Sequence, residues 1–195
     1  QFGQALRIAE QAHRRNPDDS RSREEYRLAS AAALLERGRR ALFEDRDEEA
    51  LARFLEAREI APEQAAIAAW VFNASEKLAL HCYELGVASQ AAADLEQARA
   101  HFEQSLAYLP EFQRSRAALY RTLLQINYRA GLGQEYYDDG VRNLHDHLLD
   151  EADFAFSASL KYEPNGERAS ERLNVTRAQL AEERAALALQ PEGQG

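Results

Sequence analysis

Apolar residues recur every three or four positions along almost the whole chain, which is the period of an α-helix with one buried face. Turns that contain a proline interrupt this pattern at Asn16-Pro17-Asp18, Ala61-Pro62 and Pro164-Asn165-Gly166. Two close glycines, Gly131 and Gly133, predict one further break. Asp47 has the position and chemistry of a helix N-cap. The pattern therefore predicts helices over residues 1–15, 22–44, 48–60, 63–91, 94–108, 112–129, 134–147, 150–162 and 167–190.

Four kinds of residue return along the chain with fixed spacings of twelve, four and eight positions. In each set a glycine is followed by an alanine, a phenylalanine and a proline. Self-similarity of this kind indicates a repeat protein, in which each unit is one small helical motif packed on the next. The three sets are Gly38, Ala50, Phe54, Pro62; Gly86, Ala98, Phe102, Pro110; and Gly140, Ala152, Phe156, Pro164.

These residues resemble the tetratricopeptide repeat (TPR) family, whose unit is an antiparallel pair of helices. In that family the glycine lies on the first helix of a unit, which we call the first-type helix. The alanine and the aromatic residue lie on the second, or second-type, helix, and the proline follows it. Small residues suit a helix crossing because a bulky side chain there would push the axes beyond the usual 8–10 Å. The resemblance implies an all-α, TPR-like solenoid of antiparallel helix pairs.

The units are longer than the 34 residues of the family. Successive prolines lie 45, 48 and 54 residues apart, so the extra residues are expected to lengthen the first-type helices. The glycine break at 131–133 predicts a separate helix in the third unit. We expect a single solenoid over residues 1–190, followed by a flexible tail at 191–195. Its parts are a half repeat at 1–17, repeats at 20–62, 63–110 and 111–164, and a terminal helix at 166–190.

The resemblance also implies a concave groove, lined by first-type helices, that binds a peptide or a helix of another protein. One subgroup of the family clamps a C-terminal carboxylate there with lysine and asparagine. The matching positions hold Leu35, Arg39, Tyr83 and Val87, so that clamp is absent. Arg39, Tyr83 and Val87 remain the candidate groove residues.

The two ends of the sequence carry complementary halves of a repeat. The first helix carries Ala5 and Ala9 before Pro17, with the spacings of a second-type helix, and the last helix has the position of a first-type one. Joining two copies gives a distance of 48 residues from Pro164 to Pro17, the distance from Pro62 to Pro110. We therefore expect head-to-tail stacking of copies into a ring or filament. The candidate self-association residues are Phe2, Ala5, Leu6, Leu180, Leu187 and Ala188. The alternatives are that the chain is a piece of a longer repeat array, or that its terminal helix only caps the solenoid.

Charge and composition argue against several kinds of partner and structural feature. The formal net charge is −9, which disfavours phosphate backbones and makes nucleic acid an unexpected partner. The longest apolar run, residues 65–72, is too short for a membrane span, which needs about 20 residues. Cys82 is the only cysteine, so an intrachain disulfide is excluded. The chain begins at Gln1; if this is a mature N-terminus, we expect an exported or cell-surface protein, and otherwise a fragment.

No motif indicates a reaction, a cofactor or a metal. His145 and His147 lie two residues apart, so on a helix they point in different directions. Cys82 is expected to be a small buried residue rather than a nucleophile. Asn73 and Asn174 begin glycosylation sequences within predicted helices. The third unit is rich in tyrosine, which suits either an interface or packing between long helices.

We therefore expect a non-catalytic scaffold that acts by protein–protein contact and self-assembles head to tail. The alternative is an adaptor whose concave groove binds a peptide of a partner, for example in an envelope or secretion assembly. No catalytic, cofactor-binding or metal-binding residue is assigned.

Overall fold

The structure, a computed structural model, describes residues 2–188, without the side chain of Phe2. These residues form α-helices joined by short turns, and no strand occurs among them. The helices are α1 (Phe2–Arg15), α2 (Ser20–Phe43), α3 (Asp47–Ile60), α4 (Ala65–Ala91), α5 (Leu95–Tyr108), α6 (Gln113–His145), α7 (Leu149–Tyr162) and α8 (Glu167–Ala188).

Helix length separates the two types of helix. The second-type helices α1, α3, α5 and α7 each have 14 residues. The first-type helices α2, α4 and α6 have 24, 27 and 33 residues. Consecutive helices pack as pairs, and the extra residues of each unit lie in its first-type helix. The structure thus confirms an all-α, TPR-like solenoid fold with lengthened first helices.

The first-type helices α2, α4 and α6 all end in the same turn. Asp45, Ala93 and His147 lie seven residues after Gly38, Gly86 and Gly140, and have φ angles of 56°, 63° and 57°. The next residue donates its backbone N–H back to the helix, as Arg46 does to the Ala41 carbonyl at 2.9 Å. This left-handed turn provides hydrogen bonds to the last carbonyls of the helix and reverses the direction of the chain.

The predicted N-cap at Asp47 is wrong. Helix α3 begins at Asp47 itself, and its N-cap residue, Arg46, makes no side-chain capping bond. The Asp47 carboxylate instead accepts from the Lys77 ammonium at 2.9 Å. Asp19 and Asp94 do act as caps, because their carboxylates accept from backbone N–H groups at the starts of α2 and α5.

The predicted helix break at Gly131 and Gly133 is also wrong, and with it the separate helix in the third unit. Helix α6 runs without interruption from Gln113 to His145. A glycine costs a helix only about 1 kcal/mol relative to alanine, and no proline lies in this stretch. The carbonyl of Gly133 also accepts a bond from the buried Ser159 hydroxyl at 2.8 Å, which fixes the backbone at this position.

The chain divides into two compact units, one up to Leu119 and one from Tyr120 onward. The core of the first unit lies around Phe54 and Phe102, which are fully buried. The core of the second unit lies around Phe156, together with Leu173 and Ala152. A single solenoid over residues 1–190 stays a prediction. The expected tail at 191–195 and the last residues of the 167–190 helix lie outside the described residues.

Candidate functional site: repeat contacts, groove and open faces

The three marked glycines each lie against the phenylalanine of their own unit. A Cβ added at Gly86 would lie 2.5 Å from Phe102 Cε1, and one at Gly140 would lie 2.6 Å from Phe156 Cε1. A Cβ at Gly38 would overlap the Phe54 ring in the same way. All three rings are fully buried, as are Ala50, Ala98 and Ala152. The prolines Pro62, Pro110 and Pro164 lie exposed in the turns after the second-type helices. The ring therefore occupies the space that a side chain on the first-type helix would need.

A second set of small residues was missed in the sequence. Ala31, Ala79 and Gly133 each lie seven residues before the marked glycine of their unit, and all three are buried. Each of them faces a small residue on the second-type helix of its own unit, which is Ala57, Ser105 and Ser159 in turn. Ser105 donates to the Ala79 carbonyl at 2.6 Å, and Ser159 donates to the Gly133 carbonyl at 2.8 Å.

This second contact gives the direction of the paired helices. Ser105 follows Phe102 along α5, whereas its partner Ala79 precedes Gly86 along α4. The helices of the pair are therefore antiparallel. The spacing of seven between Gly133 and Gly140 was the signal that could have identified Gly133 as a packing residue.

The candidate groove residues do not form one polar pocket. The Arg39 guanidinium lies over the Trp70 ring, 5.4 Å from its centroid. Tyr83 packs against the rings of Phe102 and Phe112 at 5.8 and 5.9 Å between centroids. Val87 is 42% exposed and belongs to neither contact.

Arg39 does line a cavity of about 510 Å³ at the end of α2. Leu42, Phe43 and Trp70 form its apolar wall, and Glu36, Arg39 and Arg40 bring charge. Phe43 is 90% exposed. The Arg40 guanidinium and the Trp70 indole N–H have no hydrogen-bond acceptor among residues 2–188. This site offers hydrogen-bond donors and apolar surface to a ligand. Of its residues, only Arg39 was predicted from the sequence as a groove residue.

Helix α1 has an uncovered face. Its residues Ala5 and Ala12 have the positions of Ala50 and Ala57, which are fully buried in α3. In α1, however, Ala5 is exposed and Ala12 is half-buried. Leu6 is also half-buried, and Ile8 is 62% exposed. The side chain of the candidate residue Phe2 lies outside the described residues.

Helix α8 has an uncovered face too. Leu180 is buried, whereas Leu187 is 64% exposed and Ala188 is exposed. Ala181, which has the position of the buried Ala79, is exposed as well. Two ion pairs flank this face and link α8 to α7: Arg177 with Asp153 at 2.6 Å, and Arg184 with Asp150 at 3.0 Å.

The tyrosines of the third unit divide into two groups. Tyr136 stacks on Tyr162 with 5.7 Å between centroids, and Tyr137 packs on the Phe156 ring. These three fill space between helices. Tyr120 and Tyr128 are 65% and 69% exposed, and they lie on α6 eight residues apart.

Cys82, His145 and His147, the residues considered for catalysis or metal binding, take part in core packing, a side-chain pair and a turn. Cys82 is buried, and burial, with a smaller effect of the Glu48 carboxylate, raises the pKa of its thiol, which therefore favours its unreactive protonated form. His147 lies in the left-handed turn, and His145 pairs with the neighbouring Asp146. Across residues 2–188, no three side chains of His, Cys, Asp or Glu gather as a metal ion requires.

The two glycosylation sequences lie within helices. Asn73 is in α4 and Asn174 is in α8, and both asparagines are exposed. Their hydroxyl partners Ser75 and Thr176 are buried, Thr176 completely. In the part of the chain that the structure describes, no helix combines the length and apolarity needed to cross a membrane.

Comparison with known proteins gives similar solved structures only. No family model and no curated protein matches the chain. One similar structure is the first TPR domain of Spaghetti (RPAP3) bound to the HSP90 peptide SRMEEVD. It has 15% identity and a TM-score of 0.23, and the match covers 78% of this chain and 94% of that one.

A second similar structure is the C-terminal TPR-containing domain of a Plasmodium falciparum protein named as an FK506-binding protein. It has 17% identity and a TM-score of 0.23, and the match covers 83% of this chain and 95% of that one. Similarity at this level is too low to argue from. The assignment of a TPR-like fold rests on the chain's own geometry: 14-residue second-type helices, antiparallel pairing, and a buried phenylalanine against each marked glycine.

Proposed function

We propose that the protein is a non-catalytic scaffold that acts by protein–protein contact, and that its copies stack head to tail. In such a stack, α1 of one copy packs beside α8 of the next, as a second-type helix packs on the first-type helix of its own unit. The contact is heterologous, so repeated stacking produces a filament or a ring. The uncovered faces of α1 and α8 are the observation that carries this proposal.

The match between the two faces supports the pairing. In the complete units a glycine on the first-type helix faces a phenylalanine on the second-type helix. The matching positions are Ala188 on α8, which is exposed, and Ala9 on α1, which is already buried within the chain. Helix α1 carries alanine where the complete units carry phenylalanine, so a Cβ on the facing helix would meet no ring. Helix α8 carries alanine where the complete units carry glycine, and so it supplies that Cβ. The two substitutions compensate each other across the proposed contact.

The second small-residue contact matches as well. Ala12 has the position of Ala57, and Ala181 has the position of Ala31, two alanines that are fully buried in the first unit. An alanine on each side lets two helices approach closely. Small residues on both faces are therefore consistent with a helix-on-helix contact at this place.

Sedimentation velocity over a range of concentrations tests the proposal. The wild-type protein is expected to form species larger than a monomer as its concentration rises. Ala12→Glu and Ala181→Glu each place a charge in the contact, and each variant alone should stay monomeric. Ala52→Glu is the matched control, because Ala52 is exposed on α3 and outside the contact.

Mixing the two variants distinguishes a heterologous contact from a symmetric one. Ala12→Glu keeps an intact α8 face, and Ala181→Glu keeps an intact α1 face. An equimolar mixture should therefore form dimers and nothing larger. A wild-type protein that remains monomeric at every concentration would refute stacking and leave α8 as a cap.

The second candidate function is an adaptor, and the cavity at the end of α2 favours it. The Arg40 guanidinium and the Trp70 indole N–H, which have no acceptor within residues 2–188, lie beside the exposed Phe43 and suit an acidic peptide segment with an apolar side chain. Trp70 is the only tryptophan, so its fluorescence reports binding directly. Titration with a Glu-Glu-Phe-Glu peptide should change this signal, and Arg40→Gln should weaken the response. A lysine-containing peptide of the same length is the control, and equal responses to both would contradict the adaptor.

A further inference from the structure

We infer that Arg15 recognises Asp150 of a second copy and thereby sets the register and polarity of the head-to-tail contact. This inference rests on the proposed stacking and adds the pair of side chains that selects the partner face. Its basis is a hydrogen bond that already links two second-type helices within the first unit.

In that bond, the Tyr108 hydroxyl on α5 donates to Glu48 Oε1 on α3 at 3.0 Å. Tyr108 lies six residues after the aromatic position Phe102, and Glu48 lies six residues before Phe54. The bond therefore joins the end of one second-type helix to the start of the preceding one.

The same positions on the open faces carry opposite charges. Arg15 lies six residues after Ala9, which has the aromatic position of α1, and Asp150 lies six residues before Phe156. When α1 of one copy follows α7 of another, Arg15 takes the place of Tyr108 and Asp150 takes the place of Glu48. A hydrogen bond from a neutral hydroxyl to a carboxylate within the chain becomes an ion pair between copies.

Both groups are available for this contact. Arg15 is exposed, and its guanidinium has no acceptor among the described residues. The Asp150 side chain is 75% exposed; its Oδ1 accepts from Arg184 at 3.0 Å, and its Oδ2 has no donor among residues 2–188. A carboxylate offers enough lone pairs to accept from two guanidinium groups at once. The Arg184 pair therefore leaves room for Arg15.

The charge of α1 favours one polarity of assembly. The chain as a whole has a net charge of −9, yet α1 carries Arg7, Arg14 and Arg15 against the single acid Glu10. Asp150 and Glu151 lie in the first turn of α7. Two α1 faces would bring like charges together, whereas α1 against the start of α7 brings opposite charges together. Charge complementarity of this kind determines orientation and partner choice more than total affinity.

Charge reversal tests the pair. Arg15→Asp and Asp150→Arg should each weaken the association at least tenfold, as measured by sedimentation velocity. Arg14→Asp is the matched control: it makes the same change of net charge one residue away, where Arg14 already pairs with Glu10 of its own helix, and it should stay within about threefold of wild type. Circular dichroism should show unchanged helix content in all three variants.

An equimolar mixture of Arg15→Asp and Asp150→Arg should recover assembly, because it contains the wild-type contact and its charge-swapped form. Equal losses in Arg15→Asp and Arg14→Asp, or a mixture that stays dissociated, would overturn the pair. If wild type assembles and Ala12→Glu blocks it but Arg15→Asp does not, stacking stands and only this pair fails. A monomeric wild type would refute both.

Discussion

Two glycines of α6 should respond in opposite ways to the same substitution. Gly140→Ala adds a methyl group against the Phe156 ring, with the new Cβ 2.6 Å from Cε1 and 2.7 Å from Cδ1. Gly131→Ala adds the same group where no atom lies within 4 Å. Both glycines lie in the second unit and in one continuous helix, so the intrinsic change in helix propensity is the same.

The magnitudes follow from packing. Alanine in place of glycine stabilises a helix interior by about 1 kcal/mol, which is the full expected effect at Gly131. At Gly140 the ring must move, because ordinary contacts of a Cβ begin at 3.4 Å. Phe156 is fully buried and packed against Tyr137, so the movement disturbs the core. Overpacking costs about 1–3 kcal/mol. The gain of about 1 kcal/mol in helix propensity offsets part of this cost. With a packing cost at the upper end of the range, we expect Gly140→Ala to lose about 1–2 kcal/mol of stability overall.

Urea unfolding followed by far-ultraviolet circular dichroism measures both effects. A difference of about 2–3 kcal/mol between the variants corresponds to about 1 M in the urea midpoint. Trp70 lies in the first unit, so its fluorescence shows whether the two units unfold together. Phe156→Leu removes the ring, and in that background Gly140→Ala should lose its penalty. Equal stabilisation by Gly131→Ala and Gly140→Ala would refute the packing argument.

Three further effects should be measurable by the same unfolding assay. Ser105→Ala removes the buried bond to the Ala79 carbonyl at 2.6 Å and the one shared with the Ser115 hydroxyl at 2.6 Å, and should cost about 1–2 kcal/mol; equal stability would contradict a stabilising role for these bonds. Arg27→Ala removes a guanidinium that donates to the Ile60 carbonyl at 2.6 Å at the end of α3 and pairs with Glu24 and Glu63, and it should lower the urea midpoint, with Arg27→Lys intermediate; an unchanged midpoint would contradict this. Ala93→Gly relieves a left-handed backbone with φ of 63° and should stabilise by about 1 kcal/mol; a loss would show that the turn is not strained.

Much of the fold could be predicted because four residue types repeat with fixed spacing. A glycine twelve residues before an alanine and sixteen before a phenylalanine defines where two helices cross. This spacing fixes the turn between them as well, since the left-handed residue always lies seven positions after the glycine. The lengths of the second-type helices follow directly, because proline ends each unit at the same place.

The two wrong predictions, the helix break in α6 and the N-cap at Asp47, have a common physical cause. Gly131 and Gly133 predict a break when only local backbone preference is considered. The structure gives Gly133 a packing role, with Glu163 Cγ 2.9 Å from the place of a Cβ and Ser159 bound to its carbonyl. Asp47 predicts a cap for the same local reason, but Lys77, thirty residues later, holds its carboxylate. In both cases a partner distant in sequence outweighs a preference of about 1 kcal/mol.

The site was harder to predict than the fold. Arg39 was found through the family pattern, but its cavity depends on Trp70 and Phe43, which have no counterpart in the repeat spacing. Tyr83 matched a groove position, yet its ring packs between Phe102 and Phe112 and is only half-buried there. A repeat pattern predicts which positions face a neighbouring helix. The residues that make one unit different from the others determine what a surface binds.

The face of α8 shows how a cap and a docking surface differ physically. Arg177 and Arg184 pair with Asp153 and Asp150, and exposed pairs of this kind add less than about 1 kcal/mol while keeping the face compatible with water. A pure cap needs nothing more. Ala181, however, lies between the two arginines along the helix and is exposed where a cap would gain from a longer polar side chain. Ala181→Glu should therefore leave a cap as stable as before, whereas it should abolish assembly if α1 of another copy packs there. The oligomeric state of this single variant, compared with its unchanged unfolding midpoint, separates the two roles of the same helix.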